Sequence, residues 1–279
     1  VNQDVSAVVA GVAKPYELHD EDVRVLLEAS LELHQTGPDL DQFPFVVFDL
    51  IKRLIGSDVV GYGEIDPVKG SARGIHSEYS PTKLDGMKAY ADLMKSHPFW
   101  QADPKFFGSR VLKSSDFFSE RQYRETPVGH ELMVPNGVYC NISFTFISHG
   151  RTIAFSAYCI GHRDFDERQR AKMEALRPMV QAAYAQARLR TLLALPPLRR
   201  LMLAFPTLTL RQAQVAAWLA EGKSNEVIGL LLGIGAETVK SHLKAICAKL
   251  GVEDRFAAGM LGWSAMPDHI PPTAARRLF

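Results

Sequence analysis

The segment AETVKSHLKAICAKLGVEDR, residues 236–255, fits one regular structure. At about 100° per residue, Val239, Leu243, Ile246 and Leu250 fall at i, i+4, i+7 and i+11, on one face of a helix. Glu237, Lys240, Ser241, Lys244 and Ala248 project from a second face, roughly 140° round from the first. Such a helix buries one side against a scaffold and offers the other. Exposed lysines are ordinarily only solvated, so the meaning of this face depends on what precedes it.

Upstream, residues 208–235 read LTLRQAQVAAWLAEGKSNEVIGLLLGIG. Thr209 can cap a helix, with Gln212 three residues on completing a capping box. Val215 and Leu219, then Val227, Ile228, Leu231 and Leu232, supply buried faces for two helices separated by Gly222. Gly233-Ile234-Gly235 makes a tight turn into the lysine-bearing helix, which Gly251 closes. Helix, short glycine turn and second amphipathic helix is the helix-turn-helix plan, whose second helix lies in a DNA major groove. Lys240, Ser241 and Lys244 then face base edges, where lysine donates to guanine O6 and N7. Thr238, Lys223, Ser224 and Lys249 are placed to meet phosphates. His242 lies on a flank, suited to a phosphate or to a structural hydrogen bond.

Residues 208–257 resemble the LuxR-type (FixJ/GerE-like) helix-turn-helix over their whole length, in L-T-x-R-(E/Q), A-E-G-K-S-N, L-G-I, T-V-K-x-H and K-L-G-V. The resemblance covers about a fifth of the chain. It implies double-stranded DNA as partner and the same base-facing roles for Lys240, Ser241 and Lys244. The chain departs from the family at Leu210 (usually Pro), Gly235 (usually Ser), Glu226-Val227 (usually Lys-Glu) and Gly229 (usually Ala). Gly at a helix interior costs about 1 kcal/mol against Ala, so the second of these helices is expected to be modestly weakened.

Charge supports a division of labour. Residues 1–187 carry 20 Lys+Arg against 25 Asp+Glu (net −5), and residues 188–279 carry 12 against 6 (net +6), summing to the chain's +1. The 279 residues are 47% hydrophobic, enough for two cores. Three cysteines make no disulfide framework and point to a reducing, cytoplasmic compartment. No run approaches the ~18 apolar residues of a membrane span, and Asp4 stands where a signal peptide needs positive charge.

In the first part, helices are expected at 15–36 and 41–55, then two paired strands in VVGYGEI and ARGIHSEY. Further helices are expected near 82–96, 118–131 and 166–194, the last ended by Pro196-Pro197. The clearest β signal is GVYCNISFTFISHGRTIAFSAYCIG, a hairpin turning at His149-Gly150. With Ser148 opposite Arg151, one face carries Cys140, Ile142, Phe144 and Phe146 against Cys159, Ala157, Phe155 and Ile153. The other carries Asn141, Ser143 and Thr145 against Tyr158, Ser156 and Ala154.

The order resembles GAF- and PAS-like folds. The expected architecture is therefore an α+β GAF/PAS-like sensor domain over 1–190, a linker at 191–206, an all-α four-helix LuxR-type domain at 207–263 and a disordered tail at 264–279. Candidate pocket residues for a small-molecule effector are Tyr79, Trp100, Asn141, Ser143, Ser156 and Tyr158. The helix at 166–194 carries Met173, Leu176, Val180, Ala183 and Ala187 on one stripe, either a homodimer contact or packing on its own sheet. Cys140 and Cys159 face each other in the hairpin and read as small core residues rather than a redox pair.

No His/Cys/Asp cluster has metal-ligand spacing, and no phosphate-binding glycine loop or nucleophile elbow appears, so neither an enzyme nor a cofactor is expected. A phosphoacceptor receiver does not fit, because Glu21-Asp22 lies in a helical stretch and Asp49 on the polar side of another. An acyl-homoserine-lactone receptor is the second reading: it would explain Asp66-Pro67 beside Tyr62, although that family's Trp and Tyr pattern is not recognisable. A docking module without DNA binding is the reading from a different class.

Overall fold

The structure, a computed structural model, describes residues 16–66, 71–78, 110–161 and 163–265. It divides into two units at Ala187/Arg188. The expected helix at 82–96, Tyr79, Trp100 and most of the tail lie outside the described residues.

The first unit contains α1 (Asp20–Gln35), α2 (Phe43–Ile55), β1 (Val59–Asp66), β2 (Ser71–His76), β3 (Leu112–Lys113), α3 (Glu120–Glu125), β4 (Val138–Ser148), β5 (Arg151–Ile160) and the start of α4 (Glu167–Ala194). The five strands form one antiparallel sheet in the order β2-β1-β5-β4-β3. This is the expected α+β architecture. The hairpin register is as read from sequence, from Ser148↔Arg151 to Cys140↔Cys159. His149 and Gly150 both take positive φ, 48° and 72°, the backbone a two-residue turn needs to match strand twist.

The apolar hairpin face packs against α1, α2 and α4 in one cluster that includes Phe43, Phe48, Phe144 and Phe155. The stripe Met173, Leu176, Val180, Ala183 and Ala187 lies in this cluster, each residue at most 2% exposed. Of its two readings, packing on its own sheet is the one realised. Asp49 is exposed on α2, as expected of a polar helix side. Asp22 is buried instead, receiving hydrogen bonds from Arg168 and a 2.9 Å contact from Lys172. These two cations hold its carboxyl well below the usual carboxylate range and tie α1 to α4.

The opposite sheet face is not a solvent surface. Asn141 and Ser143 are each 2% exposed and Tyr158 5%. Tyr123, Val128 and Met133 cover it, packed with Val59, Val138 and Tyr158. The covering segment is shorter in helix than expected. Pro127 drives Thr126 to an extended conformation (ψ 147°), ending α3 at Glu125, and a π turn follows over Gly129–Met133.

His76 stands against Tyr158, ring centroids 5.9 Å apart, and burial lowers its pKa to about 4. An unfolded histidine titrates near 6.5, so between those values the unfolded chain binds more protons. Stability should therefore be full above about pH 6.5 and decline as pH falls toward 4, by up to ~3 kcal/mol from this group. Melting curves across that range should slope less in His76→Leu than in the wild type. Parallel slopes would remove the burial effect.

The second unit contains α5 (Pro197–Ala204), α6 (Leu210–Ala220), α7 (Asn225–Leu232), α8 (Ala236–Leu250) and α9 (Arg255–Trp263). Leu201, Val215, Leu219, Ile228, Val239, Leu243, Ile246 and Ala258 form its core. Two expectations need correction here. Residues 197–204, assigned to a linker, form a helix whose Leu201 is 1% exposed, because Pro197 starts a helix at its first turn as readily as it stops one. Ala265, assigned to the tail, is also buried, at 6% exposure.

Candidate nucleic-acid interface

Thr209 and Gln212 form the expected capping box at the start of α6. Ser224 caps α7, its Oγ accepting from Val227 N at 3.4 Å. Gly233 ends α7 at φ 66°, and Gly251 ends α8 at φ 67°. Gly235 caps α8 with backbone alone. Gly229 is buried, and a Cβ there would stand 2.6 Å from Ile234 O. The helix-weakening expected of this glycine is thus offset by the close approach that it permits between α7 and the turn.

Val239 and Ile246 are fully buried, Leu243 is 7% exposed and Leu250 half-buried. Lys240, Ser241 and Lys244 are exposed together on the other side of α8. Thr238 is exposed at its first turn, and His242 is half-buried on the flank. Lys223 is half-buried and Ser224 exposed at the start of α7. Lys249 is set apart. Its Nζ donates to Thr207 O and to Gln212 Oε1, both at 2.7 Å, and so fastens α8 to the start of α6. Val227 and Leu231, expected in the core, are 41% and 49% exposed, and Leu230 is 84% exposed. Ile228 is the residue of this run that enters the core completely.

Glu237 is the residue whose part the sequence did not reveal. Its Oε2 accepts from Lys240 Nζ at 2.9 Å, and this bond raises the lysine's pKa, keeping it charged. Glu226 lies near enough to Lys240 and Arg255 to feel both charges. Its pKa is lowered, first by its own backbone N–H and by the Ser224 hydroxyl. Arg255 itself donates to Lys223 O at 2.9 Å. The spacing of Glu237 and Lys240, one helical turn apart, was the available signal.

In the first unit, the structure brings together four of the six expected pocket residues. Asn141 pairs with Tyr158 and Ser143 with Ser156 across β4 and β5. Ser143 Oγ donates to Ser156 Oγ at 2.7 Å, and Asn141 Nδ2 donates to Ser143 Oγ at 3.4 Å. Burial pushes the Tyr158 hydroxyl up to about 12, which keeps it a neutral donor. Asn141 Oδ1 is buried and, among the described residues, has no hydrogen-bond partner. The described residues contain no group of three or more potential metal ligands and no helix long and apolar enough to cross a membrane.

The family model for GerE, bacterial regulatory proteins of the luxR family, matches residues 206–261. The monoamine regulon transcriptional regulator of Klebsiella aerogenes is 30% identical over 126 residues, 45% of this chain and 51% of that protein. The transcriptional activator protein PhzR of Pseudomonas fluorescens is 33% identical over 87 residues, 31% of this chain and 35% of that protein. The matches thus span about half or less of these relatives' length. A solved structure of SdiA in complex with octanoyl-rac-glycerol has a TM-score of 0.49 at 14% identity, covering 92% of this chain and 100% of that one. Residues 206–261, with their capped helices, glycine turn and lysine-bearing α8, are a helix-turn-helix domain of the LuxR family.

Proposed function

We propose that the chain is a cytoplasmic, sequence-specific DNA-binding transcriptional regulator whose first unit senses a small molecule. One observation carries the DNA reading: α8 buries Val239, Leu243 and Ile246 and thereby fixes the exposed Lys240, Ser241 and Lys244 on a rigid face. In the major groove the two lysines donate to guanine O6 and N7. The Glu237 carboxylate beside Lys240 adds an acceptor, the group that cytosine N4 needs. Lys223, Ser224, Thr238 and His242 take phosphates and set the register. Lys249, with its ammonium engaged inside the domain, is left with the smaller share of that work. One recognition helix reads few bases, so the working form is a homodimer on a two-fold related site.

Gel shifts against genomic fragments at several salt concentrations test this reading. A regulator binds selected fragments tightly, and Lys223→Ala weakens all of them alike while flattening the salt slope by about 1. Weak, unselective binding that salt abolishes would instead favour the docking module.

The sensing reading rests on the buried polar face of β4 and β5, above all on Asn141 Oδ1. A buried acceptor without a partner costs roughly 1–3 kcal/mol, which a ligand hydroxyl or amide N–H would recover. An acyl-homoserine lactone, through its amide N–H, is one ligand of that chemistry. Native mass spectrometry of the full chain, before and after denaturation, reads out a bound molecule directly. Asn141→Ala should lower its occupancy, and unchanged occupancy would assign the ligand elsewhere.

A further inference from the structure

Cys140 and Cys159 are direct partners across β4 and β5. The two-residue turn closes on a hydrogen-bonded pair, Ser148 with Arg151, and hydrogen-bonded pairs recur at every second position. Cys140 and Cys159 fall on that same set, with Cα atoms about 5.5 Å apart, inside the ~4.4–6.8 Å range that a disulfide spans.

Two small residues filling a core would need nothing more, yet this pair has polar company. Cys140 Sγ donates to Arg163 O at 2.7 Å, and Arg163 Nη2 lies 3.4 Å from Cys159 Sγ. The guanidinium is anchored by Gly56 O at 2.8 Å and lies 3.9 Å from Asp58, while the Arg163 side chain stays 59% exposed. It therefore reaches from solvent to sulfur. A cavity of about 310 Å³ opens beside Cys140, walled by Cys140, Arg163, Asp164, Ser114 and Tyr139, while Cys159 is fully buried and outside its wall. The Cys140 S–H and the guanidinium both favour a thiolate at Cys159, whose pKa falls, while Cys140 keeps its proton and its pKa rises.

We propose that Cys140 and Cys159 form a dithiol site that a hydroperoxide oxidises to a disulfide. The thiolate sulfur attacks the terminal oxygen of the hydroperoxide; the S–O bond forms, the O–O bond breaks, and the leaving alkoxide takes up a proton as the alcohol. The neighbouring thiol then attacks the resulting sulfenic acid. The S–S bond forms, the S–O bond breaks, and hydroxide leaves with the thiol proton as water. Two thiols lose two electrons, and the peroxide is reduced to alcohol and water. In a reducing compartment such a disulfide is transient, which suits a signal. The site is independent of whether the chain binds DNA.

The test is intact mass of the reduced full-length protein exposed to hydrogen peroxide, with peptide mapping under non-reducing conditions. The expected result is loss of two hydrogens, a Cys140–Cys159 link, and reversal by dithiothreitol, in the wild type and in Cys247→Ser alike. Cys140→Ser should stop at a sulfenic acid that dimedone traps on Cys159. Arg163→Met, replacing a largely exposed side chain, should slow disulfide formation several-fold. Oxidation confined to Cys247 in the wild type, or an unchanged mass in Cys247→Ser, would overturn the proposal.

Discussion

Replacing Ile246 with alanine is expected to cost about 2–5 kcal/mol and to uncouple α8 from its scaffold. Ile246 is fully buried in the second unit's core, alongside Val239 and Leu243. The unit runs from Arg188 to Pro271, a size at which total stability is only about 5–10 kcal/mol. A loss of that order therefore takes much of what holds α8 in place. Hydrogen exchange of the α8 amides should accelerate strongly, with those of β4 and β5 unchanged. DNA affinity should fall although every exposed lysine is still present. If exchange in α8 stayed slow, the burial of its apolar stripe would not be what positions the lysine face.

The second large effect is expected at Gly129. A Cβ on this residue would stand 1.9 Å from Tyr123 O and 2.8 Å from Thr126 Oγ1, one a backbone atom and the other held by hydrogen bonds. Thr126 Oγ1 donates to Tyr123 O at 2.7 Å and accepts from Gly129 N at 3.0 Å, so neither can simply turn away. Gly129→Ala must open the turn that carries Tyr123, Val128 and Met133 over the sheet. Overpacking of this kind costs about 1–3 kcal/mol or more. Its consequence reaches further, because the same segment packs on Tyr158, on the sheet face that also carries Asn141 and Ser143. The denaturation midpoint should drop, and the Asn141 amide, which donates to Ser114 Oγ at 3.1 Å, should exchange faster. An unchanged midpoint would mean that the turn has a second, roomier conformation.

What the sequence disclosed follows from the range of the physics involved. The hairpin register was legible because a period-two pattern and a two-residue turn are both local, and a slip of one residue would have turned Phe144 and Phe155 to the wrong face. The face of α8 was legible for the same reason, in a helix of 15 residues. In α7, only 8 residues long and ending in three consecutive leucines, periodicity could not tell Ile228 from Val227 or Leu231. Long-range partners were out of reach: Asp22 meets Arg168 across 146 positions. Nor could alternation show that the Asn141 face is buried, since its cover comes from short irregular turns around Pro127. Pro196-Pro197 reads in sequence as a stop, whereas the second proline is also the first residue of α5.

Base reading by α8 can be measured directly. The most direct measurement is selection of binding sites from a random duplex library by the wild-type protein and by Lys240→Ala. The wild type should recover a two-fold related site. Lys240→Ala should lose ~1–3 kcal/mol of preference at one base position per half-site while keeping the others. A uniform loss at every position, or no recovered site from the wild type, would contradict it.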